Sequence, residues 1–208
     1  MCAVERDCRI NALTWDSANT VIACCDEDGV VQLYAAAHGR LVSELEVSPT
    51  HAATSVSFSP REDLLAVGAA DSFLRIVDTE RMVVKSVLRD HTDGITACSF
   101  NAGGALVASA AVDGLICVHS FEKRSEVSIF QFSSLSTNDV RFSPMRTNLL
   151  ASAHDDGSVL VWDAALCKET NRFQEAHKGP VRCLAFSPVN HLLLCSAGRD
   201  SQVVFYDS

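Results

Sequence analysis

A chain that repeats itself at a fixed interval folds into an array of like units, and this chain does so five times. The turn aspartates Asp28, Asp71, Asp113, Asp156 and Asp200 are separated by 43, 42, 43 and 44 residues. The aromatics Trp15, Phe58, Phe100, Phe142 and Phe186, each at the end of an apolar run, are separated by 43, 42, 42 and 44. Six residues after each aspartate comes a third landmark: Tyr34, Val77, His119, Trp162 and Tyr206. The best-preserved copy is LLASAHDDGSVLVWD over 149–163. Its two apolar runs flank an Asp-Gly turn, which reads as a β-hairpin.

Each unit reads as three clear strands and a more variable fourth. The units span approximately 8–47, 48–88, 89–132, 133–175 and 176–208. Phe-Ser-Pro recurs at Phe58-Ser59-Pro60, Phe142-Ser143-Pro144 and Phe186-Ser187-Pro188, where proline ends a paired strand. No stretch has an amphipathic helical pattern of useful length, and no linker is visible. The expectation is an all-β chain of about five four-stranded units stacked radially in a single domain.

Hydrophobic residues make up 48% of the chain and charged residues 21%, so it can bury a core. Its 17 Lys and Arg against 26 Asp and Glu give a net charge of −9, which argues against nucleic acid or an anionic membrane as partner. No apolar run of about 18 residues is present, and MCAVERDCRI lacks a signal-peptide core. The nine cysteines are scattered and odd in number, which reads as reduced thiols in a cytosolic protein. No GxSxG, HExxH, P-loop or GxGxxG pattern occurs, and Gly103-Gly104 lacks the helix a phosphate loop requires. The expectation is therefore no enzyme activity, no cofactor, no metal and no small-molecule substrate.

The period, the Phe-Ser-Pro turn, the Ser-x-x-x-Asp spacing and the terminal Trp-Asp resemble WD repeats, which form β-propellers. In that family a histidine between units, a serine, the turn aspartate and the terminal tryptophan make a hydrogen-bonded set within a blade. The resemblance implies such sets at His91, Ser109 and Asp113, at Ser152, Asp156 and Trp162, and at His177, Ser196 and Asp200. His119 and Tyr206 replace the tryptophan in units three and five, and Ser133 or Ser134 stands where unit four should have its histidine. Unit one has Cys24 at the serine position and unit two has Val77 at the tryptophan position, so those blades are expected to be less rigidly tied. His91 and His177 are repeat-equivalent and lie in separate blades, so they do not converge as ligands of one metal.

Propeller loops carry binding. The loops between units and the aspartate turns share one face, expected to hold Asp26, Glu27, Asp28, Pro49, Thr50, His51, Arg89, Asp90, Thr92, Asp93, Thr137, Asn138, Lys178, Gly179 and Pro180. The acidic balance favours a basic partner segment. The stretches LRDHTDGITACSF, GLICVHS, GSVLVWD, AHKGPVRCLAFSPVNHLLL and VVFYD resemble the NEDD-type centrosomal WD-repeat family, which targets the gamma-tubulin ring complex. That resemblance implies a non-catalytic localisation scaffold in the cytoplasm, at the cytoskeleton, centrosome or spindle pole, acting in microtubule nucleation and spindle assembly. Its partners would be centrosomal or spindle proteins, with the gamma-tubulin ring complex bound through a separate helical region. The alternatives are a ubiquitin-ligase substrate receptor, or an RNA-processing or trafficking scaffold. The receptors often carry Trp-Asp-x-Arg, and Trp162-Asp163-Ala164-Ala165 departs from it.

WD propellers commonly close with seven blades. Five units fill this chain and unit five has no fourth strand, so the sequence predicts an incomplete portion of a seven-bladed ring. The segment Cys2–Asp7 is too poorly patterned to supply the missing strand.

Overall fold

A computed structural model describes residues 7–61, 63–121, 127–131, 135–190 and 193–207. The chain forms five antiparallel meanders, each strand pairing with the next in sequence. Blade one comprises β1 (Ile10–Trp15), β2 (Val21–Asp26), β3 (Val30–Ala35) and β4 (Arg40–Glu46). Blade two comprises β5 (Ala53–Phe58), β6 (Leu64–Ala69), β7 (Leu74–Asp78) and β8 (Val83–Leu88). Blade three comprises β9 (Ile95–Phe100), β10 (Leu106–Ala111), β11 (Leu115–Ser120) and β12 (Val127–Gln131). Blade four comprises β13 (Thr137–Phe142), β14 (Leu149–His154), β15 (Val159–Asp163) and β16 (Lys168–Phe173). Blade five has three strands, β17 (Val181–Phe186), β18 (Leu193–Gly198) and β19 (Val203–Asp207).

The middle strands of blades two, three and four read as nearly unbroken apolar runs because both their faces are covered. Successive side chains point to opposite faces of a strand. Leu65 and Val67 therefore meet blade one, packing with Ala23, Cys25, Val31 and Leu33. Leu64 and Ala66 on the same strand meet Cys98, Phe100 and Val107 of blade three. The pattern continues between blades three and four, where Ile116, Val118 and Phe130 pack on Leu150, Leu160 and Trp162. Val159 and Val161 then pack on Leu184, Leu194 and Tyr206 of blade five. The described residues thus form four inter-blade cores rather than a single central one. The end sheets each leave a face open: Leu13 and Trp15 are exposed on blade one, Val203 and Phe205 on blade five.

At the hub, every first strand carries a β-bulge at the same place. The pairing with the second strand skips Asn11, Thr54, Thr96, Asn138 and Arg182 in the five blades. A bulged residue leaves the ladder and re-aims its side chain. Asn11 Nδ2 donates to Ala53 O at 2.9 Å and Thr54 Oγ1 to Ile95 O at 2.7 Å. Thr96 Oγ1 donates to Thr137 O at 2.6 Å and Asn138 Nδ2 to Val181 O at 2.8 Å. The first four bulges are latches onto the next blade. Arg182, the fifth copy, turns back and donates to Asn138 Oδ1 at 2.9 Å.

Thr96→Val keeps the side-chain shape but leaves the Thr137 carbonyl without its donor, so unfolding free energy should fall by about 1–2 kcal/mol. Arg182→Ala should change it by under about 0.5 kcal/mol, as for an exposed surface site. Leu65→Ala, in the core between blades one and two, should cost about 3 kcal/mol. Urea unfolding followed by far-ultraviolet circular dichroism measures all three.

Candidate functional site

The aspartate turns and the loops between blades meet at one end of the strands. Gly29 and Gly157 show how tightly. Both adopt positive φ, at 77° and 88°. A Cβ on Gly29 would fall 1.9 Å from Ser48 O, and one on Gly157 would fall 2.3 Å from His177 O. The turn of one blade therefore lies directly against the loop that opens the next. The equivalent positions in blades two and five are Ser72 and Ser201, also at positive φ.

Beneath this face lie the polar sets. In blade three His91 Nδ1 is 3.1 Å from Asp113 Oδ2, and His91 Nε2 is 2.9 Å from Ser109 Oγ. In blade five His177 Nδ1 is 2.9 Å from Asp200 Oδ1, and His177 Nε2 is 2.7 Å from Ser196 Oγ. Tyr206 extends that chain, its hydroxyl 2.7 Å from Ser196 Oγ. With Nδ1–H turned to the carboxylate, Nε2 accepts the serine hydroxyl, and Tyr206 donates to the serine oxygen. The hydrogen bond from His177 holds the Asp200 carboxyl below its ordinary range.

Ser-His-Asp in this order is also the bonding pattern of a serine nucleophile. Access decides against that reading. Ser109 is 0% and Ser196 1% exposed, so no acyl carbon can approach either hydroxyl. The sets act as fasteners between loop, strand and turn. Among the described residues, no group of three or more His, Cys, Asp or Glu is arranged to hold a metal.

Blade four departs from the expected set. Trp162 Nε1 donates to Ser152 Oγ at 2.8 Å, but the aspartate is missing from the network. Asp156 is exposed and turns onto its own hairpin, accepting from Ser158 N at 2.9 Å and Ser158 Oγ at 2.6 Å. The imidazole comes from His154, whose Nε2 is 2.8 Å from Ser152 Oγ and whose Nδ1 is 3.3 Å from Thr137 Oγ1. Ser133 and Ser134 lie outside the described residues. In blade three His119 occupies the tryptophan position but turns to Asp90, 3.3 Å from Nε2 to Oδ2.

Blades one and two are tied by other means than histidine. Asp26 is fully buried, not displayed on the face, because it satisfies its turn from within. It accepts from Asp28 N at 3.1 Å, Val30 N at 2.9 Å and Gln32 Nε2 at 3.0 Å. In blade two Arg75 grips Asp71 with two bonds of 3.0 and 2.6 Å, and Ser48 Oγ adds a third at 3.0 Å. Burial pushes the Asp71 carboxyl up, but the bonds from Arg75, Phe73 N and Ser48 outweigh it and the group lies below its ordinary range. The expected looseness of these blades is therefore offset by strand residues four positions after the turn aspartate.

A signal for these substitutes is present in the sequence. The last residue of the second strand is Gly198 in blade five, where a Cβ would fall 2.8 Å from His177 Nδ1. In blades one and four the same position holds Asp26 and His154, the polar groups that carry those networks. A small residue there accompanies a loop histidine in blades three and five, with Ala111 and Gly198, and a polar one replaces it in blades one and four; blade two, with Ala69, has neither and uses Arg75.

The remaining residues expected on the face divide into committed and available. Thr137 is buried against His154. Asn138 spends both amide hydrogens, on Val181 O and on Asp155 Oδ1 at 2.9 Å, so it latches blades and has no donor left for a partner. Glu27, Asp28, His51, Asp93 and Lys178 are exposed. Asp90 is half-buried beside His119. Arg89 is exposed and lies with its guanidinium 4.3 Å from the Phe73 ring centre, an arrangement that holds the cation in place.

The profile of the family described as WD domain, G-beta repeat matches residues 5–34, 39–78, 82–120, 126–163 and 168–207. Among curated proteins the chain is similar to Protein NEDD1 of Homo sapiens, 27% identical over 200 residues, covering 96% of this chain and 30% of that protein. Protein NEDD1 of Bos taurus is 28% identical over 200 residues, with the same shares. Cilia- and flagella-associated protein 337 B of Tetrahymena thermophila is 29% identical over 205 residues, 95% of this chain and 16% of that protein. The chain thus spans less than a third of the length of these relatives.

Burial pushes His154 down to about 4, against a weaker upward pull from Asp156. An unfolded histidine titrates near 6.5, so the unfolded chain takes up the proton first as pH falls. The stabilisation from a neutral, buried His154 is complete above about pH 6.5 and is lost toward pH 4. His119, lowered by burial against the pull of Asp90, acts in the same direction. Unfolding free energy should drop by about 2–3 kcal/mol between pH 7 and 4.5, and His154→Gln should remove most of that slope. A urea midpoint that stays flat across this interval in the unsubstituted chain would contradict a neutral buried imidazole.

Proposed function

The chain belongs to the WD domain, G-beta repeat family, and from that membership we propose that it is a non-catalytic scaffold directing the gamma-tubulin ring complex to centrosomes and spindle poles. Its interaction-scaffold character follows from the propeller fold. The finer role is supported by one observation above the others: similarity to Protein NEDD1 runs over 96% of this chain rather than over isolated repeats. The exposed face residues Glu27, His51, Arg89, Asp93 and Lys178, held on a rigid frame by the polar sets beneath, offer mixed-charge contacts for centrosomal or spindle proteins. Charge on such a surface acts mainly through encounter rate and selectivity.

In the proposed role this chain supplies localisation, while gamma-tubulin itself is held by a separate helical region. A fluorescently tagged chain expressed in dividing cells should therefore concentrate at spindle poles and co-precipitate gamma-tubulin weakly. Replacing Arg89 and Lys178 with Glu should reduce polar enrichment at least threefold without lowering the melting temperature. Uniform distribution of the unsubstituted chain through mitosis would overturn the proposal.

A further inference from the structure

The repeat provides an internal control for a second surface, at the end of the strands opposite the aspartate turns. A groove of ≈ 380 Å³ lies there between blades one and two. Its apolar lining comes from Val21, Leu33 and Phe58, with Val42, 61% exposed, at the lip. A corresponding groove of ≈ 500 Å³ lies between blades three and four. The two are superposable in sequence at an offset of two repeats. Val21 and Leu33 correspond to Leu106 and Val118, so that part of the apolar floor is kept, whereas Phe142, the equivalent of Phe58, is not among the residues that line the second groove. The rim is not: Asp16, Asp63 and Glu80 of the first groove correspond to Asn101, Asn148 and Ala165 of the second. Arg61 borders both grooves and does not distinguish them.

The chemistry of the changed positions explains what each groove can hold. Asn101 accepts from Leu106 N at 3.0 Å and donates to Thr147 O at 2.9 Å, so it closes its own turn and also ties blade three to blade four. Asp16 closes the equivalent turn, accepting from Thr20 N at 2.7 Å and Val21 N at 3.0 Å, but has no hydrogen to donate. These bonds, with that from Thr20 Oγ1, outweigh burial and keep its carboxyl below the ordinary range, so it is ionised at neutral pH. Asp63 and Glu80 are exposed, and among the described residues no side-chain hydrogen bond or ion pair engages them. An apolar cleft edged by three carboxylates, two of them uncommitted, is complementary to an apolar side chain flanked by cations.

We infer that the groove between blades one and two receives a short protein segment presenting a bulky apolar residue flanked by Lys or Arg. The apolar residue fills the cleft over Leu33 and Phe58, and the flanking cations meet Asp63, Glu80 and Asp16. The groove between blades three and four, which keeps only part of that floor and has no carboxylate among its described lining residues, does not select this segment. This surface is separate from the turn face, and its test contains no centrosomal component.

The probe is a fluorescein-labelled peptide, Gly-Lys-Lys-Leu-Phe-Arg-Lys-Gly, titrated with the chain and read by fluorescence anisotropy. Saturable binding should weaken as salt is raised, because charges are screened over about 8 Å at physiological ionic strength. Asp63→Lys with Glu80→Lys should weaken it at least tenfold, and the milder Asp63→Asn with Glu80→Gln about threefold, with unchanged melting temperatures. Installing Asn148→Asp and Ala165→Glu should add a second equivalent of bound peptide. The same charge reversal at Glu27 and Asp28, on the opposite face, should change affinity less than twofold. The inference is overturned if the unsubstituted chain gives no saturable binding, if the Asp63 and Glu80 reversal has no effect, or if the Glu27 and Asp28 reversal weakens binding equally, which would mean the peptide follows net charge alone.

Discussion

A sheet with two apolar faces needs a neighbour on each side, and everything else in this structure follows from that need. The second and third strands of each blade carry apolar residues at consecutive positions. Hiding both faces forces the blades to stack, and the twist of each sheet turns the stack into a propeller. The packing is made of many contacts of similar strength, so it favours stacking without defining the angle between blades. The hub bulges supply direction. A hydrogen bond of 2.6 to 2.9 Å from Asn11, Thr54, Thr96 or Asn138 to the next blade is short and oriented, and it sets each blade in the same register against its neighbour.

The polar sets answer a second demand created by the same stacking. In blades two, three and five the hairpin turn brings a carboxylate against the loop that opens its own blade, where little water reaches it. A buried polar group without a partner costs about 1–3 kcal/mol, and among the described residues no buried side-chain nitrogen or oxygen is left without one. The five blades reach this state by different routes. Blades three and five use a loop histidine, blade four a strand histidine, blade two an arginine and blade one an aspartate with a glutamine. The group is satisfied in each blade, while the residue that satisfies it differs. The loops above can therefore vary while the frame holds still, as an interaction surface requires.

Much of the architecture was legible because its signals are local. The period, the Asp-Gly and Asp-Ser turns and the apolar runs place the strands within a residue or two of where they lie. The candidate face was legible only in part. Glu27, His51, Arg89, Asp93 and Lys178 are exposed as their loop positions imply, whereas Asp26 and Thr137 are buried and Asn138 is consumed by the latch. An acidic or amide residue in a loop looks the same in sequence whether it faces water or a neighbouring carbonyl. The groove between blades one and two is not legible in the sequence for a related reason: Asp16, Asp63 and Glu80 are far apart along the chain and are gathered only when blades one and two stack.

By itself the sequence determined the number of repeats, the all-β class, the hairpin turns and the residues able to form a core, since each depends on neighbours a few positions away. Tertiary structure decided which donor meets which acceptor. Asp156 has the repeat position of Asp113 and Asp200 yet lies outside its network, because His154 reaches Ser152 from within the strand and no imidazole comes down from the loop to Asp156. That choice rests on distances between segments about 20 residues apart, which a repeat pattern cannot express. The same holds for the two grooves, alike in part of their apolar floors and unlike in the charge of their described rims, where the stacked blades turn scattered carboxylates into one surface.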